Sequence, residues 1–99
     1  MLKKKYFKTK EECEVTFEFD ANGAQEVLLL GEFSNWEPIS MKKTKSKGAP
    51  FKTKVRLPKN QSFQFRYLID QQVWENDEAA DAYWPNDQGS DNSVVFTNN

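Results

Sequence analysis

The chain has 99 residues, with 14 basic and 15 acidic side chains, one cysteine and no histidine, so its formal net charge is −1. A chain of this length commonly forms one domain with one small core, so we expect a single domain over residues 1–99. The lack of histidine removes the commonest general base and metal ligand, and one cysteine permits neither an internal disulfide nor a thiolate zinc cluster. We therefore expect no metal and no cofactor. The near-neutral charge also disfavours a nucleic-acid partner.

The N-terminal segment does not have the pattern of a secretion signal. Its start is basic, but polar and charged residues fill positions 8–14, where a signal peptide has an apolar run. The longest apolar run, at 27–30, is far shorter than a membrane span. The sequence therefore predicts a cytoplasmic protein with no membrane partner. The single Cys13 is in phase with core positions and is interpreted as a packing residue.

Alternation of apolar and polar residues is the dominant pattern, and it predicts strands. In chain order, residues 13–19 alternate, and residues 26–31 form a short apolar run typical of a buried strand. Residues 51–57 and 62–69 alternate again across a four-residue link, which predicts a β-hairpin. Residues 93–97 predict a last short strand. Because no segment shows helical periodicity, the sequence favours an all-β antiparallel sandwich.

Charge is unevenly divided along the chain. Residues 38–66 hold nine basic side chains and no acidic one, whereas residues 67–99 hold seven acidic side chains and no basic one. This division predicts two solvated surfaces of opposite sign. A polyanion-binding patch is the alternative, but no aromatic residues are interleaved among its four lysines, at positions 42, 43, 45 and 47.

Most phenylalanines and one tyrosine follow the strand alternation and are predicted to lie in the core, namely Phe17, Phe19, Phe51, Phe63, Phe65 and Tyr67. Trp36, Trp74 and Trp84 instead lie in polar segments that predict loops, where an indole either plugs the core edge or forms a recognition surface. A pyranose ring suits the second use, because its C–H face packs on an indole while nearby polar side chains bind its hydroxyls. Arg66, on the outer face of its strand, and Asn92 are candidates for those polar contacts.

Three segments carry a family pattern, in the same order as in the family. Residues 27–36 look like the segment V-x-L-x-G-x-F-N-x-W, residues 63–74 look like Y-x-[YF]-[KR]-[FY]-x-x-D-G-x-W, and residues 89–95 look like G-x-x-N-x-V-V. Together they resemble carbohydrate-binding module family 48, the early-set or isoamylase N-terminal domain, which includes the glycogen-binding domain of the AMP-activated protein kinase β subunit. The resemblance covers about residues 12–97. Between Asp70 and Trp74 the chain has one residue more than the family, and it lacks the family's turn glycine.

The resemblance implies an immunoglobulin-like β-sandwich of the early-set type. It also implies a non-catalytic module that binds α-1,4-linked glucans such as glycogen or starch. By position, Trp36 and Trp74 match the sugar-stacking tryptophans, Arg66 matches a basic residue that hydrogen-bonds glucose hydroxyls, and Asn92 matches the binding asparagine. Ser90 matches a hydroxyl-bearing residue near that asparagine.

Two other classes of function compete with this interpretation. The first is a regulatory or protein-interaction domain, which would use the same exposed aromatics to bind a partner such as a glycan-metabolising enzyme or a kinase. The second is a glycosidase, which needs two carboxylates flanking a deep sugar site. The acidic residues between positions 75 and 81 supply carboxylates, but a solvated acidic loop explains them more simply. Neither they nor the later aspartates have the spacing of a calcium loop.

Overall fold

The computed structural model describes residues 1–21, 23–43 and 48–98, and it confirms the all-β prediction. Its elements are ten strands and one 3₁₀ turn, Glu32–Ser34, which follows β3. The strands are β1 (Leu2–Tyr6), β2 (Glu12–Phe19), β3 (Val27–Gly31), β4 (Ile39–Ser40), β5 (Lys42–Lys43), β6 (Phe51–Pro58), β7 (Ser62–Ile69), β8 (Val73–Glu75), β9 (Ala82–Pro85) and β10 (Asp91–Phe96). The described part of the chain offers no helix with the length and hydropathy needed to traverse a lipid bilayer.

The strands form two antiparallel sheets that make a sandwich-like arrangement. The first sheet has the order β1-β2-β6-β5 and the second has the order β4-β3-β7-β10-β9, with β8 paired to β7 beside this path. The two inner faces meet in one hydrophobic core. The outer face of the second sheet carries exposed tryptophans and polar side chains.

The predicted hairpin between β6 and β7 is wrong, because the two strands lie in different sheets. Their three-residue link crosses the edge of the sandwich and is bound there by Thr97. The Thr97 hydroxyl donates to the Pro58 carbonyl oxygen at 2.7 Å, and the Asn60 backbone N–H donates to the Thr97 carbonyl oxygen at 3.1 Å. Alternation identifies the buried face of a strand, but that face is the same whether the next strand lies beside it or across the core.

The core is built around aromatic side chains from both sheets, as predicted. Phe17 of β2 packs edge-on against Phe65 of β7 with ring centroids 5.0 Å apart, and Tyr67 packs against Phe19 at 4.6 Å. Phe51 is also buried, and Phe63 is half-buried against the same cluster. Cys13 is fully buried beside them, which confirms its interpretation as a packing residue.

The outer face of the first sheet is a mixed charged surface. Acidic residues of β2 lie directly opposite basic residues of β6, with Glu14 paired to Arg56 and Glu18 to Lys52. Glu18 also forms an ion pair with Lys3 of β1 at 3.2 Å. The predicted separation into surfaces of opposite sign is therefore wrong for this sheet, because strand pairing brings the two signs together. Two lysines of the polyanion alternative, at positions 45 and 47, lie outside the described residues.

Candidate functional site

Trp36 is presented by a tight turn at the end of β3. The 3₁₀ turn Glu32–Ser34 follows Gly31, and the Trp36 N–H closes the turn by donating to the Gly31 carbonyl oxygen at 2.8 Å. A Cβ at Gly31 would lie 2.7 Å from the Phe33 ring and 2.9 Å from the Gln64 carbonyl oxygen, so only glycine fits there. Asn35 and Trp36 both have a positive φ, at 54° and 62°. This geometry leaves the Trp36 side chain 39% exposed.

Trp74 lies in the short strand β8 and not in a loop, so that part of the prediction is wrong. The β7–β8 turn has two consecutive left-handed residues, Asp70 with φ 49° and Gln71 with φ 56°. The additional residue relative to the family segment is accommodated in this turn, and Trp74 pairs with Leu68. Residues directly opposite each other share a face of the sheet, so Trp74 lies on the outer face with Arg66, two residues from Leu68. Trp74 is 46% exposed.

Arg66 lies on β7, an inner strand of the second sheet, and contacts Trp74 of β8. Its guanidinium carbon lies 5.7 Å from the centroid of the Trp74 ring, which is a cation–π distance. On its other side Arg66 pairs with Leu30 of β3, which is buried on this outer face. The Arg66 Nε is buried and has no hydrogen-bond partner within residues 1–21, 23–43 and 48–98. The alternation-based prediction that Arg66 points outward is confirmed by this register.

A chain of side-chain amides borders Arg66 on the next strand. Ser93 of β10 pairs with Phe65, which places Asn92 beside Arg66 on the outer face. The Asn92 amide nitrogen donates to Gln64 Oε1 at 3.1 Å, and Asn92 Oδ1 accepts from the Asn86 amide at 3.1 Å. Asn86 also donates to the Ser90 hydroxyl oxygen at 3.2 Å. These contacts hold Asn92 nearly buried with its amide in a fixed orientation.

These side chains line one shallow depression of about 550 Å³ on the outer face of the second sheet. Its walls are formed by Trp36, Arg66, Trp74, Asn86, Asp87, Gln88 and Asn92. Four of the five candidate site residues from the sequence are therefore brought together. Ser90, the fifth, does not line the depression but contacts Asn86, which does.

Three lining residues were not among the sequence candidates, namely Asn86, Asp87 and Gln88. They form the β9–β10 turn, and the run Pro85-Asn86-Asp87 is a turn signal that precedes the segment containing Asn92. In the described part of the chain, no three His, Cys, Asp or Glu side chains are grouped so as to hold a metal ion.

Trp84 lies on the same outer face but outside the depression. It belongs to the edge strand β9, again in a strand where a loop was predicted, and it pairs with Asn92. Its ring centroid is 6.0 Å from that of Phe96, and the ring remains 38% exposed. The third tryptophan therefore has both a packing contact and a substantial solvent-facing area.

Comparison with protein families gives one match that covers most of the chain. The sequence model described as the glycogen recognition site of AMP-activated protein kinase matches residues 13–98. The chain belongs to this family. No curated protein gives a significant match to the chain.

Family membership identifies the domain as a non-catalytic carbohydrate-binding module of the glycogen-recognition type. The resemblance inferred from the three sequence segments is therefore confirmed, and the prediction that the domain is not an enzyme is confirmed with it. The glycogen-recognition domain presents one sheet face with exposed indoles beside a guanidinium and an amide. This combination of apolar surface and a few fixed polar groups is typical of small-ligand sites.

Proposed function

We propose that the domain binds α-1,4-linked glucans, such as glycogen, starch or maltodextrins, by stacking glucose rings on Trp36 and Trp74. The observation that carries this proposal is that two exposed indoles, Arg66 and Asn92 line the same depression. An indole buries the C–H face of a sugar without requiring hydrogen bonds from it. The shallow form of the depression suits a flexible polymer whose chain continues beyond the site.

The polar residues suit the hydroxyl rim of the sugar. Arg66 supplies donors in a fixed plane, and stacking on Trp74 restricts that plane. Its Nε is buried and has no hydrogen-bond partner in the described part of the chain, which is costly, and a hydroxyl oxygen is the kind of acceptor that would satisfy it. Asn92 presents an amide whose orientation is set by Gln64 and Asn86. In this proposal Ser90 acts through Asn86, as a positioning residue rather than a direct contact.

The proposal is tested by isothermal titration of the full chain with maltoheptaose, together with retention on immobilised glycogen. We expect a dissociation constant in the micromolar to millimolar range, because the site is shallow and open. Trp36→Ala and Trp74→Ala should each weaken binding about tenfold or more, which corresponds to about 1.4 kcal/mol. Circular dichroism establishes that each variant is folded.

Val73→Ala is the matched control. Val73 is 48% exposed and adjoins Trp74 in β8, but strand alternation turns it away from the outer face. It should bind maltoheptaose as the parent does. Unchanged retention of both tryptophan variants would overturn the site assignment. Recovery of one stoichiometric protein partner by a chain that has no glucan affinity would favour the protein-interaction alternative instead.

A further inference from the structure

Trp84 is the exposed indole that the proposed glucan site does not use. It lies in β9, which is the edge of the second sheet in the described part of the chain. The register aligns Trp84 with Asn92, and Asn92 lies beside Arg66. Arg66, Asn92 and Trp84 therefore stand on three consecutive strands and on one face. Because neighbouring strands are about 4.8 Å apart, the backbone at Trp84 is roughly 10 Å from that at Arg66.

The indole of Trp84 extends along its strand away from the depression. Trp84 is level with Asn92 on the neighbouring strand, whereas Phe96 lies further along β10, beyond Val94. The distance of 6.0 Å between the two ring centroids therefore requires the indole to lean along its strand, past the level of Val94. Val94 is fully buried although it lies on the outer face, paired with Gln64 on one side and Ala82 on the other. Side chains on the outer face therefore cover Val94, and the Trp84 ring, packed on Phe96, still presents part of its surface to solvent.

A purely structural plug does not account for this remaining surface. Trp84 is 38% exposed, nearly the same as Trp36 at 39%, although Trp36 lines the depression and Trp84 does not. Packing on Phe96 fixes the ring and lowers the entropy lost when a ligand stacks on it. The indole is therefore held in place and partly open, which are the properties of a stacking platform.

Polar groups connect this platform to the depression. The Asn92 amide nitrogen donates to Gln64 Oε1, and Asn92 lies directly opposite Trp84 on the neighbouring strand. A sugar chain that leaves the depression over this amide pair meets hydrogen-bonding groups first and the indole next. The same alternation of apolar and polar contacts that characterises the depression continues along the sheet.

We propose that Trp84, supported by Phe96, is an additional subsite for the glucan chain where it leaves the depression past Asn92 and Gln64. This inference rests on the proposed function and deepens it, because it makes affinity depend on chain length. A short maltooligosaccharide fills the depression alone. A longer one also reaches Trp84 and gains a second stacking contact.

The test compares maltotriose with maltoheptaose in isothermal titrations of the full chain. Because Trp84→Ala removes packing on Phe96, the informative variants are Trp84→Leu, which keeps apolar cover, and Trp84→Phe, which also keeps a flat ring. We expect Trp84→Leu to weaken maltoheptaose binding about fivefold or more while changing maltotriose binding less than about twofold. Trp84→Phe should retain most of the affinity. Val73→Ala again serves as the control and should change neither.

A second readout follows the ring itself. The chain has three tryptophans and so three indole N–H signals in a nitrogen–proton correlation spectrum, and the Trp84 signal is the one lost in Trp84→Leu. It should shift on titration with maltoheptaose and stay in place with maltotriose. The signals of Trp36 and Trp74 should shift with both sugars.

The outcomes separate this inference from the function on which it rests. If Trp84→Leu binds both sugars like the parent, or loses affinity for both equally, the subsite is overturned while the glucan site stands. A change in oligomeric state of Trp84→Leu on size-exclusion chromatography, with sugar binding unchanged, assigns the ring to a protein contact and also overturns it. If the parent chain binds neither sugar, the proposed function fails and the subsite with it.

Discussion

Trp36 has a backbone conformation that bulky residues rarely adopt. Its φ of 62° lies in the left-handed region and follows the φ of 54° at Asn35. A left-handed conformation costs a residue other than glycine about 1–2 kcal/mol. Hydrogen bonds from the N–H groups of Asn35 and Trp36 to the Glu32 and Gly31 carbonyl oxygens hold the turn closed. Strain of this kind is often found at binding sites, where it fixes the direction of a functional side chain.

Because of this strain, the glycine and alanine variants should have opposite orders of stability at Trp36 and at Trp74. Trp36→Gly should be more stable than Trp36→Ala by about 1 kcal/mol, because glycine relieves the left-handed strain. Trp74 has no positive φ, so Trp74→Gly should be less stable than Trp74→Ala by about 0.5–1 kcal/mol. Urea unfolding measures all four free energies. The same order at both positions would contradict the strain at Trp36.

A buried hydroxyl–carboxylate pair anchors the chain beyond β8 to the core. The Tyr67 hydroxyl donates to Asp77 Oδ2 at 2.7 Å, and the Ala79 N–H donates to Oδ1 of the same carboxylate at 2.8 Å. Both Tyr67 and Asp77 are almost completely buried. Burial, followed by the nearby Asp77 charge, raises the pKa of Tyr67 above its ordinary value. The hydroxyl therefore keeps its proton and remains a donor.

Tyr67→Phe should lower the free energy of unfolding by about 1–3 kcal/mol, because it leaves a buried carboxylate with one donor fewer. Tyr6→Phe is the matched control. The Tyr6 hydroxyl donates at 3.0 Å to the exposed Asn98 carbonyl oxygen, which water can satisfy after the substitution. Its loss should therefore cost about 0.5 kcal/mol or less. Chemical denaturation of both variants measures the difference, and equal losses would show that burial of the Asp77 pair has no special role.

At the scale of elements, the β7–β8 turn determines where Trp74 lies. Asp70 Oδ1 accepts hydrogen bonds from the N–H groups of Gln25 at 2.9 Å and Glu26 at 2.8 Å. The turn is thereby fixed to the segment that leads into β3, which is the neighbour of β7. One carboxylate thus connects the hairpin that carries Trp74 to the strand that leads to Trp36.

Asp70→Ala should reduce stability by about 1–2 kcal/mol and weaken maltoheptaose binding, because it frees the turn and disfavours the left-handed φ at this residue. Asp70→Asn keeps the acceptor oxygen and tolerates the left-handed conformation, so it should remain within about 0.5 kcal/mol of the parent. Thermal unfolding and titration calorimetry provide both measurements. If Asp70→Asn behaves like Asp70→Ala, then the negative charge and not the acceptor geometry stabilises the turn.

Apolar–polar alternation specifies the direction of each side chain but not which strand lies beside which. It identified the buried faces of β2, β6 and β7 and the outward direction of Arg66, because side-chain direction has a period of two in any strand. It failed on the partner of β6, because partner choice depends on how the link at residues 59–61 is bound. β8 has three residues and β9 four, too few to display a period, so Trp74 and Trp84 were predicted to lie in loops. Strand register, which brings Asn92 beside Arg66, is a tertiary property.

At the scale of the whole molecule, the two outer faces of the sandwich differ in chemistry. The second sheet presents exposed indoles, amides and one guanidinium, whereas the first presents charges matched across three strands. Glu18 of β2 lies at the centre of that matching, with Lys3 of β1 at 3.2 Å and Lys52 of β6 at 3.4 Å. Cross-strand pairs of opposite charge stabilise the register of neighbouring strands. The charged face thus supports the first sheet, whereas the outer face of the second sheet combines indoles and amides with the charged side chains of Arg66 and Asp87 at the depression.

The Glu18 cluster predicts how stability depends on pH. Burial alone would raise the pKa of Glu18, but hydrogen bonds from Lys3 and Lys52 outweigh it and lower the pKa below its ordinary value of 4.5. A carboxyl group whose pKa is lowered by folding contributes stability above its unfolded pKa and loses it as the pH falls through the folded value. The contribution should therefore be complete at neutral pH and decline below about pH 4.5. Because both lysines are substantially exposed, its size should be about 1 kcal/mol or less.

Glu18→Gln removes the charge with little change in shape, so the measurement is the free energy of unfolding of both proteins between pH 3 and pH 7. As the pH is lowered, the parent should lose stability relative to Glu18→Gln only below about pH 4.5. Only in that interval does Glu18 take up a proton on unfolding. Added salt should reduce the difference at neutral pH by screening the exposed lysines. Glu37→Gln, at an exposed carboxylate without an ion pair in the described residues, is the matched control for the removal of one negative charge. Parallel stability curves for the parent and Glu18→Gln would show that the lysines do not stabilise the Glu18 charge.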